Sequence, residues 1–122
     1  MQRGIRGAVL VKTFEKDEII DAAKELVLKM AELNDVSVED ISYIIFTVTP
    51  DIRKAFPGSA VRLLGAPWNQ LAVLDFAQAD IEEALPGVIR ALMSAETSKS
   101  LKEIVHPYLR GAHVLRPDRE IS

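Results

Sequence analysis

Residues 16–33 read KDEIIDAAKELVLKMAEL. Ile19, Ile20, Ala23, Leu26, Val27, Met30 and Leu33 recur at spacings of three and four, which predicts one amphipathic helix. Glu15, Asp17, Glu18 and Asp21 crowd its start, where the helix dipole favours anions, and Asn34 and Asp35 end it. Before it, residues 5–12 (IRGAVLVK) read as a strand, with Arg6 lodged in an apolar stretch. After it, residues 37–40 (SVED) read as a cap on one short turn, with Asp40 standing in for the usual Glu. Residues 42–49 (SYIIFTVT) are β-branched and aromatic, hence a strand, ended by Pro50. Residues 60–64 (AVRLL) predict a two-turn helix stopped by Gly65, and residues 69–76 (NQLAVLDF) a third strand. Residues 80–85 read as a polar connector. Residues 87–95 (GVIRALMSA) fit helix or strand by pattern, and Pro86-Gly87 with the short span tilts them to strand. A helical turn at 101–105 and a last strand at 112–115 precede a loose polar tail from about residue 117.

The expected class is α+β: a mixed β-sheet with one long and a few short helices, in a single domain over residues 1–122. One long helix cannot cover both faces of a five-stranded sheet. The uncovered apolar face needs burial, and packing against identical copies supplies it most simply.

Composition narrows the function. The chain has 48% hydrophobic and 27% charged residues, which is globular rather than disordered. Its net charge of −3 gives no global basic excess for nucleic acid. With no cysteine, disulfides, thiolate metal sites and cysteine nucleophiles are excluded. His106 and His113 are too few for a metal cluster, and no cofactor motif occurs: no P-loop, no G-x-G-x-x-G and no G-x-S-x-G. Apolar runs fall short of the roughly 18 residues of a membrane span, and no signal peptide opens the chain, so the cytoplasm is the default expectation.

Arg6, Arg62, Arg90 and Arg116 lie in or beside apolar segments. Singly, each fits a helix cap, a solvated tail or an outward edge position with its stem on apolar neighbours. Together they suit an anion site, since guanidinium forks match carboxylates. Asp75, inside an apolar strand, is either an outward residue at a strand end or a site residue. Tyr108 reads as a packed aromatic, Trp68 as a packing or interface anchor, and His106, ahead of Pro107, as a surface or turn-bonding histidine.

The ordered set Arg3-Gly4-Ile5-Arg6-Gly7-Ala8, Phe46-Thr47-Val48-Thr49-Pro50-Asp51, Phe56-Pro57 with Ala60-Val61-Arg62, Val88-Ile89-Arg90, His106-Pro107-Tyr108-Leu109 and Val114-Leu115-Arg116-Pro117-Asp118 resembles the AroH-type chorismate mutases, the small trimeric class best known from Bacillus. The resemblance covers most of the chain. It implies a homotrimer with a barrel-like β core and active sites between subunits. It also implies an isomerase of the shikimate pathway, serving aromatic amino acid biosynthesis. The reaction is the Claisen rearrangement of chorismate to prephenate, without cofactor or metal. Rival readings are a diverged homologue acting on isochorismate, a non-catalytic trimeric regulator that binds a small carboxylate, and, by fold analogy alone, an imine hydrolase like the RidA proteins.

By the same resemblance Arg90 is the cation at the ether oxygen, Arg6 binds a substrate carboxylate, and Tyr108 hydrogen-bonds nearby. Phe56, Val73 and Leu115 shape the apolar wall, while Arg62 and Arg116 supply positive potential at the mouth. Four positions depart from the family pattern. Ser59 stands where the family has a pocket lysine, and Gln78 where it has a carboxylate. Leu74 and Asp75 replace a Thr-Cys pair, and the spacing shifts by one residue between Arg62 and Val73. Asp75 is expected to take over as the acidic acceptor for the ring hydroxyl.

Overall fold

The computed structural model describes residues 1–115. The expectations for Arg116 and for the tail lie outside the described residues. Strands β1 (Gln2–Leu10), β2 (Ile41–Val48), β3 (Ala72–Ala77), β4 (Val88–Glu96) and β5 (Tyr108–Leu109) form one mixed sheet in the order β3-β2-β4-β1-β5. The central β4 runs antiparallel to β1 and β2, whereas β3 lies parallel to β2 and β5 parallel to β1. Two α-helices, α1 (Lys16–Glu32) and α2 (Ser59–Leu63), join the strands together with short 3-10 turns.

The apolar stripe of α1 settles on one face of the sheet. Ile19, Ala23, Leu26, Val27 and Met30 pack with Ile5, Val9, Ile44, Phe46, Ile89 and Met93 in one buried core. Burial of each large aliphatic side chain contributes roughly 1.5–3 kcal/mol. Gly7 makes the close approach possible: a Cβ there would sit 2.8 Å from Leu26 Cδ1 and 3.0 Å from Met30 Sδ. At the head of α1, Glu18 reaches back rather than merely facing the dipole. It accepts hydrogen bonds from the Thr13 hydroxyl and from the backbone N–H groups of Lys12 and Thr13. Those bonds, with a smaller contribution from Arg110, hold the pKa of its carboxyl down to about 2.

The two-residue β5 is too short to hold itself and is tied down from several sides. Asn34, 1% exposed, does more than end the helix. Its Nδ2 donates to the carbonyls of Met30 and Val105, and its Oδ1 accepts from the Val105 N–H, all at 2.8 Å. His106 Nδ1 accepts the Arg6 N–H at 2.8 Å, as a turn-bonding histidine should. The Pro107 carbonyl accepts the Ala8 N–H at 3.1 Å. Beyond the strand, Arg110 lies 3.7 Å from Glu18 and 3.4 Å from Glu25.

Three local expectations are corrected. Ala112–Leu115 is a 3-10 turn, not a strand, and the fifth strand is Tyr108–Leu109. Arg110 at φ 54° and Gly111 at φ 90° reverse the chain directly after β5, so the next residues cannot follow β1. The third strand begins at Ala72 rather than Asn69, because Trp68–Gln70 coils first. There the N–H groups of Gln70 and Leu71 bond back to Pro67 and Trp68 and are lost to the ladder. At 37–40 the Ser37 hydroxyl donates to the Asp40 carboxylate and caps no backbone N–H. The Asn34 anchor generates a stability prediction. Asn34→Ala strands part-buried backbone groups of Val105 and the Met30 carbonyl and should cost about 1–3 kcal/mol by urea denaturation. A change within about 0.5 kcal/mol of zero would show that β5 is held elsewhere.

Candidate active site

Strand register decides which side chains reach the face that α1 leaves open. Ile45 pairs with Leu74 on one side and Leu92 on the other, and Leu92 pairs with Arg6. One step along, Thr47 pairs with Phe76 and Arg90, Arg90 with Ala8, and Ala8 with Tyr108. Two rows therefore cross the sheet, each apolar at the β3 edge and each carrying an arginine towards β1. Arg6 and Arg90 become diagonal neighbours on adjacent strands.

A cavity of about 310 Å³ opens between them, lined by Arg6, Arg90, Tyr108, Thr47, Ile45 and Leu92 among others. Tyr108 is 4% exposed and packs with Ala8, Val88 and Ala112, while Leu115 lies half-buried against that cluster. Tyr108 is thus packed, as an aromatic there was expected to be, and also lines the cavity. Three other arginines have partners: Arg3 donates to the Lys99 carbonyl, Arg62 to the Ser59 hydroxyl, and Arg110 meets two glutamates. Among the described residues, no carboxylate pairs with the guanidinium of Arg6 or Arg90, and neither guanidinium has a hydrogen-bond acceptor. Two uncompensated cations on an apolar floor make an anion-binding surface with bidentate geometry available to carboxylates.

A second group gathers around α2 and the β3 edge. Val73 and Asp75 pair with Ile44 and Phe46 and so face the helix layer. The Gly58 N–H donates to Asp75 Oδ1 at 2.8 Å, and a Cβ on Gly58 would fall 2.5 Å from Asp75 Oδ2. Burial raises the pKa of the Asp75 carboxyl above its ordinary value, against the lowering effects of the Gly58 bond and of Arg62. Phe56, 70% exposed, and Asp75 share a cavity of about 330 Å³ that Arg53, Lys54 and Phe76 also line. Ser59, Arg62 and Phe56 border another of about 370 Å³, together with Lys16 and Lys54. Gln78 follows β3, donates its N–H to the Val48 carbonyl at 2.9 Å, and lines a cleft of about 210 Å³ with Thr49 and Asp51. Its buried Oε1 has no partner among the described residues. Leu74 stands 60% exposed on the open face.

One chain thus brings Arg6, Arg90 and Tyr108 together, with Leu115 behind them. It gathers Phe56, Ser59, Arg62, Val73 and Asp75 elsewhere. Thr47, in the arginine cavity, was missed by sequence reading. The signal that could have found it is the alternation of Ile45 and Thr47 against the buried Ile44 and Phe46. Among the described residues no cluster of three His, Asp or Glu could hold a metal ion, and no helix is long and apolar enough to cross a membrane.

The chain belongs to the chorismate mutase type I family, whose sequence profile matches residues 2–119. Among individual relatives, it is 40% identical over 121 residues to the chorismate mutase AroH of Thermus thermophilus, across 98% of both chains. It is 35% identical over 122 residues to the chorismate mutase AroH of Bacillus subtilis, across 100% of this chain and 95% of that protein. Its fold matches the solved structure of a chorismate mutase from Clostridium thermocellum with a TM-score of 0.88 and 40% identity, covering 92% of this chain and 98% of that one.

The setting of Asp75 yields a prediction. Its folded pKa is raised, so its ionised form opposes folding, increasingly as pH rises through that value. An asparagine in its place would keep an oxygen for the Gly58 N–H and carry no charge. Asp75→Asn should therefore melt at or above the wild-type temperature at about pH 7–8, with the gain vanishing near about pH 3. A lower melting temperature for the variant at the alkaline end would contradict this account.

Proposed function

We propose that Arg6, Arg90 and Tyr108 form the electrostatic half of a chorismate mutase active site, and that a neighbouring copy of the chain supplies the other half. The observation that carries this reading is the pair of guanidinium groups at one cavity of the open face, without counter-charges among the described residues. Chorismate is a dianion at neutral pH, and its carboxylates suit those two cations. In the rearrangement the bond from ring carbon to ether oxygen breaks as a carbon–carbon bond forms, and negative charge gathers on the ether oxygen. Arg90 beside that oxygen stabilises the transition state more than the ground state, which raises turnover. Arg6 holds a carboxylate, Tyr108 donates a hydrogen bond, and the apolar floor keeps the enolpyruvyl arm folded over the ring.

The remaining site residues come from the neighbour in a homotrimer with a barrel-like β core. Support comes from the open face, where Tyr43, Leu74, Phe76 and Leu92 are 40%, 60%, 50% and 38% exposed, more apolar surface than a lone subunit readily leaves in water. In that arrangement Phe56, Val73 and Leu74 form the wall, Ser59 and Arg62 the rim, and Asp75 accepts the ring hydroxyl. Gln78 accepts a weaker, neutral hydrogen bond, Leu115 closes the wall behind Tyr108, and Arg116 adds positive charge at the mouth. The partners are chorismate and prephenate, and the product feeds phenylalanine and tyrosine synthesis in the cytoplasm.

Added chorismate should lose its diene absorbance in the ultraviolet enzymatically, and isochorismate should not; a flat chorismate trace at high protein concentration would defeat the reading. Arg90→Ala should lower kcat by about 10²–10³-fold, with a smaller effect on KM. Equal losses in both would contradict the role given to Arg90. Asp75→Asn should reduce kcat/KM while the fold persists, and unchanged kinetics would remove Asp75 from the site.

A further inference from the structure

Buried hydroxyl groups in folded proteins nearly always have a partner, because an unpaired one has lost its bonds to water with nothing in return. Thr47 departs from that rule. Its Oγ1 is buried and has no hydrogen-bond partner among the described residues. Two residues along the same chain, the Thr49 hydroxyl donates to Asp51 at 2.6 Å and accepts the Val88 N–H at 3.0 Å. The chain can therefore satisfy a threonine hydroxyl here, yet among the described residues Thr47 has no such bond. Thr47 lines the arginine cavity and stands directly across from Arg90 in the antiparallel ladder of β2 and β4. Side chains so paired have Cβ atoms about 4.5–5.5 Å apart. Its neighbours on the two rows, Ile45, Leu92 and Phe76, offer no polar atom. Arg90, paired directly with Thr47, carries N–H donors, and its guanidinium likewise lacks an acceptor among the described residues.

We propose that Thr47 is a positioning residue for Arg90: with substrate bound, its hydroxyl oxygen accepts one N–H of the guanidinium and fixes the remaining donors on the ether oxygen. A threonine oxygen has two lone pairs and guanidinium has five N–H donors, so this bond leaves a full fork for the ligand. The loss of an aligned donor is felt in the transition state, where the oxygen carries its charge. The inference rests on the chorismate mutase reading above and adds to it the residue that aims the central cation.

Thr47→Val keeps the shape and removes the hydroxyl, and Thr47→Ser keeps the hydroxyl. The valine variant should lose about tenfold in kcat with KM within twofold, and the serine variant should recover most of the rate. The valine variant should melt at or above the wild-type temperature, since an unsatisfied group has gone. In an Arg90→Ala background, Thr47→Val should change kcat by less than twofold, because the group it aims is absent. Should the valine disturb the sheet, Thr47→Ala gives the same reading. Wild-type kcat in the valine or alanine variant, or a full tenfold loss persisting without Arg90, overturns the proposal. A wild-type protein inert towards chorismate overturns the reading of the reaction and this inference with it, whereas an active wild type with an unaffected Thr47→Val overturns the inference alone.

Discussion

Two like charges, Arg6 and Arg90, stand as diagonal neighbours on adjacent strands with no carboxylate among the described residues to balance them. A fold gains nothing for its own stability from such an arrangement. The cost is modest while water screens the pair and grows when a lid or neighbour excludes that water. A dianionic ligand reverses the sign of the interaction. The rest of the structure holds these two groups at one cavity of the open face.

The antiparallel pairing of β1 with β4 sets the diagonal, and the helix layer keeps the opposite face occupied. Gly7, between Arg6 and Ala8, lets α1 sit close enough to make that layer dense. The third member, Tyr108, depends on longer connections. It lies on a two-residue strand whose position comes from Asn34 at the end of α1, His106 beneath the Arg6 N–H, and Arg110 between two glutamates of the same helix. Helix α1 thus helps to place β5 through part-buried hydrogen bonds and partly exposed ion pairs, together with the apolar contact of Leu109 with the core. The α2 side works differently: Gly58 rests on Asp75 with no room for a side chain, and its N–H donates to that carboxylate.

Much of the frame was legible in the sequence because it rests on local periodicity. The stripe of α1 and the β-branched run of β2 announced themselves, and Pro86-Gly87 tipped an ambiguous segment to the strand it forms. Ala112–Leu115 misled because its alternation is local while the reversal at Arg110 and Gly111 is decided by positive φ angles. The convergence of Arg6 and Arg90 could not be read from spacing at all. It depends on a register between residues 84 positions apart, which only the folded sheet defines. Thr47 was passed over for a related reason: a threonine in a strand is ordinary until its hydroxyl is found without a bond. For the site residues, the likeness to a family pointed where periodicity could not. Asp75 proved to be half-buried under a loop rather than freely exposed.

The most direct measurement is a crystal structure of the protein with an oxabicyclic dicarboxylate that mimics the rearranging ring system. The account predicts that the Arg90 guanidinium lies within about 3.2 Å of the bridging ether oxygen. It also predicts Arg6 on a carboxylate of the ligand, and Phe56 and Asp75 from an adjacent copy on the opposite wall. A ligand bound away from Arg90, or one enclosed by a single chain, would contradict it.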